Sequence, residues 1–183
     1  TMHIGLVGLG KMGGNMRTRL RNRGIEVTGY STNPTVSDVA SLEEMVKSLP
    51  SPRTVWIMVP HGDATDSVIN SLENLLESGD LIIEGGNSRF SDDIRHAEQL
   101  SAKGIGYLDC GVSGGVWGLE NGYGLMAGGD SKLIERAMPI FDALRPVSVQ
   151  EIMWAALDSL VPVERAKFVS NPKNRSLHNF GAA

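Results

Sequence analysis

Two glycine clusters carry the residues whose spacing could do chemistry. The first, "GLGKMG", sets Gly8, Gly10 and Gly13 in a G-x-G-x-x-G pattern directly after the apolar run "MHIGLV" and ahead of a helical segment. In that setting Gly8 permits a tight turn, Gly10 lets the backbone approach a pyrophosphate, and Gly13 lets helix and strand pack closely. Lys11 and Met12 complete the loop, and the free N–H groups of the helix N-terminus would face the phosphates. The spacing predicts a site for a dinucleotide, NAD or NADP; the alternative is a glycine-rich turn without a ligand. An acid at the end of the second strand would select NAD through the ribose 2′-OH, and an arginine nearby would accept the 2′-phosphate of NADP. Ser31, Thr32 and Asn33 stand there instead, and they leave the choice between the two open.

The second cluster, "DCGVSGGVWGLENGYGLMAGG" (109–129), holds eight glycines in twenty-one residues. Its apolar residues are too many for a solvated tether. A backbone cleared of side chains suits a place where two ligands must meet, and glycine amides can donate to an anionic oxygen without bulk. Trp117 and Tyr123 are expected to pack. The single cysteine, Cys110, excludes an internal disulfide and a zinc site built on cysteine pairs, and reads as a small core residue. His61 falls near the expected cofactor, whereas His3, His96 and His178 read as surface residues. No group of His, Asp and Glu shows metal-ligand spacing, so no metal site is expected. Asp92 and Asp93 suit the first turn of a helix better than a catalytic pair.

These residues need a scaffold, and the chain alternates strand and helix patterns from its start. Strands are expected at 2–10, 25–31, 53–60, 80–87, 105–112 and 123–129. Helices are expected at 11–24, at 41–50 (with a Ser41–Glu44 capping box), at 62–79, at 91–104 and at 130–146, the last around Pro139. Alternation of this kind implies an α/β fold: a Rossmann-like, doubly wound and mostly parallel sheet with helices on both faces. Residues 1–146 form this domain. Residues 147–183 are expected as a helical or partly disordered tail, with "SVQEIMWAALDSL" (148–160) a helix opened by a Ser148–Glu151 capping box.

At 183 residues with a net charge of −4, the chain suits one domain, or one domain and part of another, and lacks the basic stripe of a nucleic-acid binder. No apolar run reaches membrane-spanning length, and "TMHIGLVGLG" begins as a strand with no basic-then-apolar leader. A cytoplasmic protein with no membrane or nucleic-acid partner is expected.

"MVPHGDAT" (58–65), "EGGNSRFSDD" (84–93) and "GVSGG" (111–115), taken with the first cluster, resemble the 6-phosphogluconate dehydrogenase family of the β-hydroxyacid dehydrogenase superfamily, in its short bacterial form. The resemblance covers residues 2–146. It implies oxidative decarboxylation of a phosphorylated sugar acid, 6-phosphogluconate, to ribulose 5-phosphate with NAD or NADP. It also implies that Ser113, Gly114 and Gly115 bind the substrate, that Asn87 touches substrate and nicotinamide ribose, and that Val59 and Pro60 line the cofactor path. Family enzymes continue with a strand, a lysine-bearing helix and a large helical domain. Here "KFVSN" places Lys167 and Asn171 at the family's K-x-x-x-N spacing, with Pro172 directly after, and the sequence ends at Ala183. Lys167 is therefore the catalytic-base candidate in a chain expected to be truncated or rearranged, with self-association over an uncovered sheet face. The alternative is a dinucleotide-binding module without turnover.

Overall fold

The computed structural model describes residues 1–146 and the backbone of residues 152–154. Along the chain lie β1 (His3–Val7), α1 (Lys11–Asn22), β2 (Glu26–Tyr30), α2 (Leu42–Ser48), β3 (Thr54–Ile57), α3 (Asp63–Leu75), β4 (Leu81–Glu84) and α4 (Phe90–Ser101). After these come β5 (Gly106–Ser113), a 3-10 turn (Gly115–Trp117), α5 (Gly118–Asn121), β6 (Gly124–Gly129), α6 (Ser131–Leu144) and β7 (Ile152–Trp154). The strands form one sheet in the order β2-β1-β3-β4-β5-β6-β7. All neighbours are parallel except β5 and β6. This is the expected Rossmann-like, doubly wound architecture.

Short strands made of "TVWI" and "LIIE" are buried along their whole length, as a sheet covered on both faces requires. Alternate residues face opposite sides. Ile4, Leu6, Trp56, Leu81, Ile83 and Leu108 pack with Met16 and Leu20 of α1 and with Ile140, Phe141 and Leu144 of α6. Val7, Val55, Ile57 and Ile82 pack with Met45 of α2, Ile69 and Leu72 of α3 and Leu100 of α4. Ser41 caps α2 by accepting from the Glu44 N–H at 3.1 Å, as the capping-box pattern predicts. Pro139 is accommodated within α6.

Three residues of the tail depart from its expectation. Residues 152–154 run as a strand parallel to β6, with Leu125 opposite Ile152 and Ala127 opposite Trp154, where the capping-box pattern predicts a helix. Capping is a local preference worth about 1 kcal/mol, whereas an open edge of β6 offers a row of backbone hydrogen-bonding groups that a segment of Ile, Met and Trp can satisfy. The remainder of 147–183, with Lys167 and His178, lies outside the described residues.

Arg19 of α1 gave no signal in the sequence, yet it ties the two ends of the fold together. It is buried at 4% exposure. Its guanidinium donates to the carbonyls of Ala143 and Leu144 (both 3.1 Å), Leu119 (3.0 Å) and Arg145 (2.8 Å). These are carbonyls at the C-terminal ends of α5 and α6, which have no partner within their own helices. One side chain thus joins the helix of the first glycine cluster to the segment of the second.

Candidate functional site

The parallel register sets the site. Tyr30, Val7, Ile57, Glu84 and Asp109 stand side by side across β2, β1, β3, β4 and β5. The loops that follow these residues therefore leave the sheet along one edge. The chain runs from β1 outward to β2 and then returns to β3 on the other side of β1. Such a reversal opens the crevice in which open α/β sheets bind ligands.

The glycines of the first loop divide the work. Gly8 has φ 95°, donates its N–H to the Tyr30 carbonyl at 2.9 Å, and a Cβ there would overlap the Met58 carbonyl oxygen. A Cβ at Gly13 would overlap the carbonyl oxygen of Gly8. Both positions serve close packing. Gly10 is different, because a Cβ there would meet no atom within 4 Å. It caps α1 with no side-chain hydrogen bond, and the first turn holds no acid, only exposed Lys11. The other long helices are occupied at this end: Ser41 caps α2, Asp130 caps α6, α3 carries Asp63 and Asp66, and α4 carries Asp92 and Asp93. A helix N-terminus with free N–H groups, a lysine and open space in front of it fits a pyrophosphate. Met12 is partly buried and packs against the core.

At the end of β2 the Ser31 hydroxyl accepts from the Asn33 N–H at 3.1 Å, and Asn33 Oδ1 accepts from the Thr35 N–H and hydroxyl at 3.0 and 2.8 Å. Thr32 and Asn33 are exposed. Asp38 anchors this turn, accepting from the Gly29 N–H at 2.7 Å and from Arg21 at 2.6 Å, with Arg17 at 3.2 Å. Burial opposes its charge, but the Gly29 N–H and the two guanidinium groups hold its carboxyl below the usual value. After β3, the Thr65 hydroxyl donates to the Pro60 carbonyl at 2.9 Å and fixes the Val59–Pro60 turn.

The "GGN" turn lies against that loop. A Cβ at Gly86 would overlap the Val59 carbonyl oxygen, and one at Gly85 would stand 2.6 Å from Met58 Sδ. Asn87 is exposed with φ 65°, the one positive-φ residue other than glycine among the described residues. β5 then runs four residues past Asp109 to Ser113, which is exposed and donates to the Gly124 carbonyl at 3.5 Å. Gly114 and Gly115 follow at φ 139° and 51°, and a Cβ on Gly115 would meet nothing within 4 Å.

The family described as the NAD binding domain of 6-phosphogluconate dehydrogenase matches residues 3–151. The chain belongs to that family. The decarboxylating 6-phosphogluconate dehydrogenase of Bacillus licheniformis is 42% identical over 150 residues, covering 75% of this chain and 32% of the relative. The NAD(+)-dependent, decarboxylating enzyme of Bacillus subtilis is 41% identical over 150 residues, with the same two shares of 75% and 32%. A solved 6-phosphogluconate dehydrogenase of Plasmodium falciparum, described in its apo form and in complex with NADP+ and with 6-phosphogluconate, superposes with TM-score 0.76 at 25% identity, covering 92% of this chain and 39% of its own. The chain spans between 32% and 50% of the length of the curated relatives it matches first. As a member of the family, it is a nicotinamide-dinucleotide-binding domain.

The NAD-binding domain brings Gly10, Lys11, Val59, Pro60, Asn87, Ser113, Gly114 and Gly115 to one sheet edge. Lys167, the catalytic-base candidate, lies outside the described residues. Several expectations need correction. Trp117 is 68% exposed rather than packed, because the 3-10 turn carries it off the sheet, whereas Tyr123 is fully buried. His96 is buried, not at the surface; its Nε2 lies 2.6 Å from Asp66 of α3, a pairing made by two adjacent helices. Asp93 is buried as well and accepts from the Tyr107 hydroxyl at 2.7 Å, so it does more than favour a first turn.

Sequence spacing also missed a grouping of carboxyls. Carboxyl oxygens of Glu84, Asp93 and Asp109 lie within 4.8 Å of one another. Burial, with the charges of Asp93 and Glu84, pushes Asp109 up to about 7. Burial raises Glu84 and Asp93 too, and the Tyr107 hydroxyl draws Asp93 partly back. The available signal was an acid in each of two strands predicted to be parallel, Glu84 and Asp109. Their register, and the helix that adds Asp93, needed the fold.

Proposed function

We propose that the chain is the cofactor half of a 6-phosphogluconate dehydrogenase-like oxidoreductase, in which a hydride passes from the 3-hydroxyl carbon of 6-phosphogluconate to NAD+ or NADP+ and the resulting β-keto acid loses CO2 to give ribulose 5-phosphate. The observation that carries this reading is the open space at Gly10 before an uncapped, acid-free helix end, on the edge where Asn87 and Ser113 also emerge. The names of the relatives supply the substrate class. The nicotinamide ring, when bound, supplies the hydride acceptor. The rest is the work of this chain's residues. The N–H groups of the first turn of α1 and Lys11 hold the pyrophosphate. Ser31, Thr32 and Asn33 meet the adenosine ribose. Val59 and Pro60 line the path toward the ring. Asn87 contacts substrate and ribose, while Ser113 and the amides of Gly114 and Gly115 bind the substrate's carboxylate end. Lys167 is the candidate base on the 3-hydroxyl.

A dinucleotide-binding module without turnover is the second reading, because the family match is to an NAD binding domain. Cofactor titration and turnover of 6-phosphogluconate, measured on the same purified chain and on Lys167→Met, separate the two. Turnover that disappears in the variant establishes the enzyme and its base. Cofactor binding with no turnover establishes the module. No binding of either cofactor refutes both.

A further inference from the structure

We propose that Glu84 is the positioning residue for Asn87, holding the Gly85–Asn87 turn through the Gly86 N–H from within a proton-sharing carboxyl cluster formed with Asp93 and Asp109. The consequence for binding rests on the proposed cofactor role of Asn87; the sharing of the proton rests on the arrangement of the carboxyls alone.

Glu84 closes β4 at 0% exposure. Its Oε1 accepts the Gly86 N–H at 2.6 Å, and its Oε2 is buried with no hydrogen-bond partner. The Ser88 hydroxyl and N–H lie by the same carboxyl and draw it partly back against burial. Gly86 is thus held between a carboxylate and the Val59 carbonyl, which a Cβ on Gly86 would overlap. The next residue, Asn87, has a left-handed φ of 65°.

Three carboxyls this close, two of them buried, cannot all ionise without a counter-charge. Among the described residues the one cationic group that acts on them is His96, on Asp93. From β5, Tyr107 gives its one proton to Asp93 Oδ1, and Cys110 is buried with its thiol pushed up by burial. From α4, His96 turns Nε2 to Asp66 of α3, and Arg95 pairs with Asp66 and Asp92. No ion pair among the described residues reaches Glu84, Asp93 or Asp109. A proton held within the cluster removes one charge and supplies the donor that Glu84 Oε2 lacks. Full ionisation sets the carboxylates against one another and draws Glu84 off the Gly86 N–H, and Asn87 then loses its orientation.

The test combines two readouts across pH. The Gly86 amide resonance is followed by NMR in the free chain, and the dissociation constant for NAD+ or NADP+ is measured by titration. The wild type is expected to show a Gly86 amide that titrates near neutrality. Its cofactor affinity should weaken by at least about fivefold between about pH 6 and about pH 8.5 with the same midpoint. Glu84→Gln keeps an acceptor for the Gly86 N–H and adds a permanent donor, so it should bind like the acid form at every pH. Asp109→Asn should flatten the profile as well. Stability supplies a check on folding. A carboxyl raised in the folded state holds a proton that the unfolded chain has released, so the cluster's contribution to stability falls as pH rises from about 4 to about 7, and Asp109→Asn reduces that slope. A Glu84→Gln profile that matches the wild type overturns the proposal, as does a Gly86 amide that does not titrate. Stabilisation by Mg2+ or Ca2+ without proton uptake also overturns it, since a cation would then neutralise the cluster. If the wild type binds neither cofactor at any pH, the cofactor reading fails, and the Gly86 amide still decides the proton sharing.

Discussion

Replacing Gly10 by valine should weaken dinucleotide binding strongly while leaving the fold intact. The structure separates these effects because Gly10 has φ −65° and ψ −169°, a backbone open to any L-residue, and its Cβ would meet no protein atom within 4 Å. The cost to folding is that of a poorer N-cap, about 1 kcal/mol. The cost to binding has two parts. Methyl groups forced into the space of a bound pyrophosphate cost about 1–3 kcal/mol as overpacking, and displacing an anion from the helix N-terminus forfeits about 1 kcal/mol more. Together these give about 2–4 kcal/mol, or roughly 30- to 1,000-fold in dissociation constant. Isothermal titration with NAD+ and with NADP+, beside urea unfolding of the same samples, reads both parts. Affinity retained within about threefold for both cofactors would place the site elsewhere. A loss of binding matched by an equal loss of stability would show that Gly10 serves packing after all.

Gly13→Ala should behave in the opposite way, because its methyl overlaps the Gly8 carbonyl; a stability loss of about 1–3 kcal/mol in urea unfolding is expected. The wild type should discriminate between NAD+ and NADP+ by less than about a hundredfold, since Ser31, Thr32 and Asn33 supply neither an acid nor an arginine. Ser31→Asp should shift the preference to NAD+ by repelling the 2′-phosphate, and competition between the two cofactors measures it. Arg19→Leu should cost about 3 kcal/mol or more in unfolding free energy, because it removes a charged donor from carbonyls at the ends of two helices; a change below about 1 kcal/mol would show that water replaces it.

Much of the architecture was legible in the amino-acid sequence because it depends on local pattern. Glycine spacing between an apolar run and a helix located the first turn. Strand-length apolar runs alternating with helical periodicity implied a parallel sheet covered on both faces. Short segments that recur at strand ends, "GGNS" and "GVSGG", carried the family. Three things waited for tertiary structure, because each depends on residues distant in the chain coming into contact. The contact of Gly8 with the Met58 carbonyl depends on the loop after β1 meeting the end of β3. The burial of His96, which reads as a surface residue, and of Asp93 and Arg19 depends on partners on other elements: Asp66, Tyr107 and the carbonyls ending α5 and α6. The strand at 152–154 replaces a locally favoured helix because the edge of β6 offers it hydrogen bonds, and no reading of residues 148–160 by themselves contains that edge. Period and spacing are properties of one segment; register, burial and edge pairing belong to the assembled sheet, and there the carboxyls of Glu84 and Asp109 come to stand side by side.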